Sequence, residues 1–202
     1  MSETAVEIPL FPLRTVLFPG GVLPLRIFEP RYVDMVRHCM RTESDFGVIL
    51  LRAGEEVHDA AQPTQAQVFE IGTLARIVDF NQADHGMLGI VVRGGQKFRV
   101  GATRIQKDQL MMGQVECLPA EPVGELLAEH DHLVEILRQL SQHPLVQQLK
   151  LEIDYTQASS VSLRLAELLP IEPEIKQALL QLGWPRERLA ELSRIVKKFQ
   201  ES

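Results

Sequence analysis

The segment from Ile8 to Tyr32, IPLFPLRTVLFPGGVLPLRIFEPRY, constrains the fold more than any other part of the chain. Pro9, Pro12, Pro19, Pro24 and Pro30 recur through it every few residues. Proline has no N–H to give a central strand, so the segment reads as two or three short strands over 6–28, broken by edges and kinks. Between the prolines lie Leu10, Phe11, Leu13, Val16, Leu17 and Phe18, then Val22, Leu23, Leu25, Ile27 and Phe28. Burying a large apolar side chain is worth roughly 1.5–3 kcal/mol, so this surface is expected to face a core. Gly20 and Gly21 supply a turn. Pro30 then opens a helix over 30–42, with Glu29 at its positive end and Tyr32, Val33, Val36 and Cys39 or Met40 on its apolar face.

Beyond the helix, Phe46–Leu51 is an apolar run of strand length. Residues 52–67 are polar and aperiodic and read as a surface loop. From Val68 the pattern is one of strands. Leu74, Val78 and Phe80 fall on one face of a long strand that also carries Arg76, and 81–86 (NQADHG) reads as a turn. Leu88–Val92 forms the next strand, and Gly94-Gly95 reads as a turn before an alternating strand over Lys97–Thr103. Met111, Val115 and Cys117 mark a last strand, closed by Pro119 and Pro122. These strands are numerous enough to close into a small antiparallel barrel, which removes exposed edges.

After Pro122 the period becomes helical. Leu126, Leu127, His130, Leu133, Val134, Leu137 and Leu140 trace one face, and His143-Pro144 ends or kinks that helix. Ser159 or Ser160 is placed to cap the next helix. Gly183 reads as the stop of a short helix around Ile175–Leu182, and Pro185 as the start of the last one. The change at 118–123 divides a β-rich part, 1–119, from a helical part, 123–202.

Several of these segments together resemble a known family. IPLFPLRTVLFPGGVLPLRIFEPRYVDMV is similar to the opening signature of the Lon N-terminal domain family, the substrate-recognition region of ATP-dependent Lon proteases, which also occurs free-standing. FGVILL at 46–51, IGTLARI at 71–77, GGQKFRV at 94–100, LAELLP at 165–170 and EIKQALL at 174–180 follow in the family's order, with Lys97 where the family usually has arginine. The resemblance implies an α+β fold: a PUA-like antiparallel β-barrel lobe with one helix, then a C-terminal helical bundle. It implies a non-catalytic module that recognises unfolded or tagged polypeptide, directly or as an adaptor beside a separate protease. A groove between the two parts is the surface that this reading suggests.

Composition and missing motifs narrow the alternatives. The net charge of -6 argues against a general nucleic-acid binder, although PUA-like barrels elsewhere bind RNA and a local basic groove would favour RNA or nucleotide. A small-molecule pocket is the third reading. No G-x-x-x-x-G-K-[ST] loop is present, and Gly95 stands where the lysine of the nearest segment would be. There is no CxxC, HExxH, G-x-S-x-G or dinucleotide fingerprint, so no catalytic, metal or cofactor site is expected. His130 and His132, at i and i+2, point to different helix faces; His130 reads as packed and His132 as solvated. Cys39 and Cys117 read as buried free thiols, Met111-Met112 as core, and Glu121, Glu125 and Glu129 as a solvated face. No apolar run reaches the ~20 residues of a membrane span and no signal peptide is visible, so a cytoplasmic location is expected.

The candidate partner-binding residues are Arg14, Glu29, Arg31 and Arg76. Glu29 and Arg31 are either a helix-tying ion pair or the rim of a groove. Arg76 is either an edge residue or the buried partner of a carboxylate, since an unpaired buried arginine would cost several kcal/mol.

Overall fold

The computed structural model describes residues 5–53, 67–82 and 87–200. The chain divides into two compact units, Met1–Pro119 and Ala120–Ser202.

The first unit holds β1 (Val6–Leu13), β2 (Val22–Ile27), α1 (Pro30–Thr42), β3 (Phe46–Ala53), β4 (Gln67–Gln82), β5 (Leu88–Ile105) and β6 (Met111–Cys117). The sheet order is β2-β5-β4-β3-β1-β6, and β5 also pairs with β6. The ladder β5-β4-β3-β1-β6 therefore returns to β5 and closes a five-stranded barrel, with β2 outside it on β5. The expected barrel is present, and it is antiparallel but for one pair. β1 and β3 run parallel, because the chain passes through β2 and α1 between them.

β1 is one continuous strand, although Pro9 and Pro12 lie inside it. Its partner changes at Leu10: Val6–Leu10 pairs with β6, and Leu10–Leu13 with β3. Each proline thus lies where β1 has a ladder on one side only, as on an edge strand, where a missing N–H is tolerated.

The barrel interior is filled by Leu10 and Phe98, both fully buried, with Ile49, Val100, Met111 and Val115 around them. Room for these two side chains comes from glycines. A Cβ on Gly47 would stand 2.7 Å from Leu10 Cδ2 and 2.8 Å from Phe98 Cζ. On Gly72 it would stand 2.4 Å from Phe98 Cζ and 2.6 Å from the Val48 carbonyl oxygen.

Gly94-Gly95 is not a turn. β5 passes straight through it, and the preceding Phe18–Gly21 segment crosses over it. The Gly94 N–H donates to the Gly21 carbonyl at 2.8 Å, and the Gly20 N–H to the Gly94 carbonyl at 2.7 Å. A Cβ on Gly94 would lie 2.1 Å from the Phe18 carbonyl oxygen, so the glycine serves close backbone approach. The expected turn at Gly20 is present, with φ 71°. The Thr73 hydroxyl donates to the Leu17 carbonyl at 2.7 Å and fixes the same segment.

A second core lies between the barrel and α1. Tyr32, Met35, Val36 and Cys39 of α1 pack with Phe11, Phe46, Val48, Ile90 and Val92, and Phe11 stacks on Tyr32 at 4.1 Å between ring centroids. Most of the apolar opening is spent on these two cores, as its composition implies; Phe28 remains exposed. Of the polar loop expected over 52–67, Arg52 and Ala53 belong to β3 and Gln67 to β4. Its residues 54–66, like 83–86 of the expected turn at 81–86, lie outside the described residues.

The second unit contains a 3-10 turn (Ala128–His130), α2 (Asp131–Ser141), α3 (Pro144–Gln148), α4 (Ala158–Leu168), α5 (Pro173–Gln181) and α6 (Pro185–Gln200). α4 is its centre and packs against α2 and α6. Three local expectations are corrected. α4 starts at Ala158, whose N–H donates to the Gly124 carbonyl, so Ser159 and Ser160 lie inside the first turn and neither is the N-cap. Gly183 has no positive φ, and α5 ends through an extended Leu182 rather than a glycine cap. Glu121 is not solvated. It receives both ends of the fully buried Arg188 guanidinium, with Nη1 at 2.8 Å from Oε2. The same guanidinium donates to the Leu179 and Leu182 carbonyls at 2.9 and 2.7 Å and to the Ser162 hydroxyl at 3.2 Å. One side chain thereby satisfies the C-terminal carbonyls of α5 and ties the unit's first residues to α4 and α6.

Gly72→Ala is expected to destabilise the protein by about 1–3 kcal/mol, the usual cost of forcing extra atoms into a filled core. A lowered urea midpoint with unchanged slope checks this; an unchanged midpoint would mean that Phe98 does not depend on the space above Gly72.

Candidate functional site

The four residues singled out from the sequence do not form one site. Glu29 and Arg31 sit at the start of α1, where Pro30 occupies the first turn. Arg31 Nη2 lies 2.8 Å from Glu29 Oε2, and the two side chains are only 13% and 15% exposed. Arg31 Nη1 donates to the Gln109 carbonyl at 2.8 Å, and the guanidinium stacks over the Tyr32 ring at 4.5 Å. These contacts fasten the N-terminus of α1 to the β5–β6 connection, which is the helix-tying alternative. Arg14 is exposed, just past the end of β1.

Arg76 lies near the other end of α1. It is exposed and pairs with Asp45, Nε to Oδ1 at 2.7 Å, so it is not the buried partner of a carboxylate. Asp45 precedes β3 and Arg76 follows the last β3–β4 pair, Phe46 with Ala75. The ion pair therefore sits where β3 and β4 part.

Beyond that point β4 borders a cavity of about 350 Å³, whose far wall is the C-terminal turn of α1 and the residues after it, with Cys39, Met40 and Glu43 among its lining. Val78 and Phe80, which the alternation places on one face with Leu74, are 50% and 59% exposed here. Two features explain their exposure. The β4–β5 register shifts between Ile77 and Asp79, and β4 has by then left the barrel. Periodicity cannot locate a bulge, so this apolar patch was not legible as a surface. Met40 adds a partly exposed side chain across the cavity.

Cys39 lies against the cavity floor. Burial, the largest influence, pushes its thiol up; a hydrogen bond with Ser44 opposes this and the charge of Asp45 adds to it. A second cavity of about 720 Å³ lies in the helical unit between α5 and α6, lined by Ile175, Ala178 and Ile195 and by the charged Glu187 and Arg194. Its surface is apolar with mixed charge. Among the described residues no group of three histidine, cysteine, aspartate or glutamate side chains is placed to hold a metal. His130 is buried and its Nδ1 accepts the Leu127 N–H, while His132 is exposed, as their spacing implies. Neither Cys39 nor Cys117 forms a disulfide; Cys39 is buried and Cys117 half-buried.

Comparison with known proteins places this geometry in context. The family model described as the ATP-dependent protease La (LON) substrate-binding domain matches residues 7–198. The crystal structure of a Lon N-terminal domain protein from Xanthomonas campestris superposes with a TM-score of 0.74 at 36% identity, over 94% of this chain and 98% of that one. Lon protease 2 of Herpetosiphon aurantiacus is 26% identical over 208 residues, which cover 98% of this chain and 24% of that protein. The Lon protease of Anaeromyxobacter dehalogenans is 30% identical over 118 residues, 58% of this chain and 13% of that protein. The chain thus spans a quarter or less of these proteases.

The raised Cys39 pKa fixes the sign of one pH effect. The stabilisation from keeping this thiol neutral is complete below the unfolded value of about 9.0 and is lost as the pH rises through the folded value. The wild-type unfolding midpoint is expected to fall more steeply above pH 9 than that of Cys39→Ala, measured side by side; parallel pH profiles would contradict it.

Proposed function

The chain belongs to the Lon substrate-binding domain family, and from that premise we propose that it is a non-catalytic module that recognises unfolded or tagged polypeptide. The family match over nearly the whole chain carries this reading. Exposed apolar side chains at the mouth of a cavity, Val78 and Phe80 above all, support it. Such side chains offer an unfolded chain a place to bury its own apolar residues, whereas a folded protein has already buried them. We further propose that it acts in the cytoplasm as an adaptor, presenting bound chains to a separate ATP-dependent protease.

Titration of the full chain with a reduced, alkylated and permanently unfolded protein, and with the same protein folded, is the direct test. Saturable binding of the unfolded form in the range of tens of micromolar, with none of the folded form, is expected. No binding of either form would overturn the proposal.

A further inference from the structure

We propose that the open edge of β4, Arg76–Asn81, takes an extended polypeptide segment as an added antiparallel strand; this rests on the recognition reading above and assigns it a site and a binding mode. The β3–β4 ladder ends at Phe46 with Ala75, but β4 runs on to Gln82 with β5 as its neighbour on one side. On the other side, among the described residues, the chain ahead of β3 turns away toward the end of α1 and leaves the cavity of about 350 Å³. An incoming strand would take up on β4 where β3 leaves off, and would pair with it in the direction that β3 already uses.

The sheet's other open edge differs in its chemistry. β2 is the terminal strand and carries an exposed Pro24 near its middle, which blunts strand addition. Arg76–Asn81 contains no proline and carries Val78 and Phe80, both exposed. An edge strand with exposed apolar side chains is the kind that folded proteins otherwise avoid unless it has a partner. Arg76, Asp79 and the register shift between Ile77 and Asp79 blunt this one only in part.

The occupant follows from the surroundings. An edge of backbone donors and acceptors selects an extended backbone over a helix or a folded surface. Met40, Val78 and Phe80 select apolar residues at alternate positions, since successive side chains of a strand point to opposite faces. The charges around the cavity are Glu43, Asp79 and Arg76. Arg76 is engaged by Asp45, and Asp79 also accepts the Phe80 N–H at 2.8 Å. The two acids and the negative end of α1 favour a lysine or arginine beside the apolar positions and disfavour a phosphate backbone. The ligand is therefore an unfolded segment of alternating apolar residues flanked by basic ones.

Fluorescence anisotropy on the full chain tests this with a labelled, unstructured peptide of alternating valine and threonine between lysines, about as long as the β4 edge. The same peptide is also made with N-methyl groups on one or the other set of alternate backbone amides. Binding of the parent peptide is expected, with one methylated set at least about tenfold weaker and the other nearly unchanged, because alternate amides face the ladder. Phe80→Asp is expected to weaken binding at least about tenfold, while Val123→Asp, on an exposed residue of the helical unit, leaves it unchanged. If Phe80→Asp fails to fold, the methylated peptides on the wild type decide the question. Equal binding of both methylated peptides, or no binding of the parent by protein that still binds unfolded protein, overturns the edge proposal and leaves the recognition reading standing. No binding of any unfolded polypeptide overturns both.

Discussion

The packing of Phe98 against glycine is the contact on which the barrel unit depends. Phe98 pairs with Gly72 on β4 and with Cys117 on β6, and its ring occupies the space that side chains on Gly47 and Gly72 would fill. With Leu10 it plugs a barrel too narrow for more than a few large residues. A closed ladder of five strands around so small a plug uses only part of its longest members. β5 reaches β6 through its second half, Phe98–Ile105, and β4 reaches β3 through its first, Gln67–Ala75. The remaining halves of β4 and β5 lie outside the closed ladder, where β2 covers one side of β5. β3 has already ended, so among the described residues no strand covers the other side of β4. The same closure that removes edges from the barrel creates one beside it.

The order of elements was legible in the sequence because it rests on local chemistry. Pro30 starts α1, alternation marks β5 and β6, and a change of period near Pro119 separates strands from helices. Errors fell where a residue answers to a distant neighbour. Gly94-Gly95 has the composition of a turn, yet its role is to let the Phe18–Gly21 backbone cross β5. Pro9 and Pro12 look like strand breakers, yet β1 changes partners between them. Leu74, Val78 and Phe80 share a parity, but a register shift and the end of β3 put the last two on the surface.

The candidate site was less legible for the same reason. Glu29 and Arg31 flank a proline at a helix start; the structure pairs them, and Arg31 also donates to the Gln109 carbonyl and stacks over Tyr32. Arg76 is a charge in an apolar strand; the structure makes it a marker of where β3 and β4 separate. Glu121 looked like one of a row of solvated acids, and only the fold brings Arg188 to it, from the far end of the helical unit. An unpaired strand edge leaves no trace in sequence at all, since it depends on the relative lengths of neighbouring strands.

On the proposed reading, an extended unfolded segment completes β4 beside apolar Val78 and Phe80, with acids at hand for basic flanks. Amide hydrogen exchange with and without a saturating unfolded polypeptide tests this account most directly. Slowed exchange at alternate amides of Arg76–Asn81, with the barrel interior around Phe98 unchanged, is the expected result. Protection confined to the helical unit, with none along β4, would contradict it.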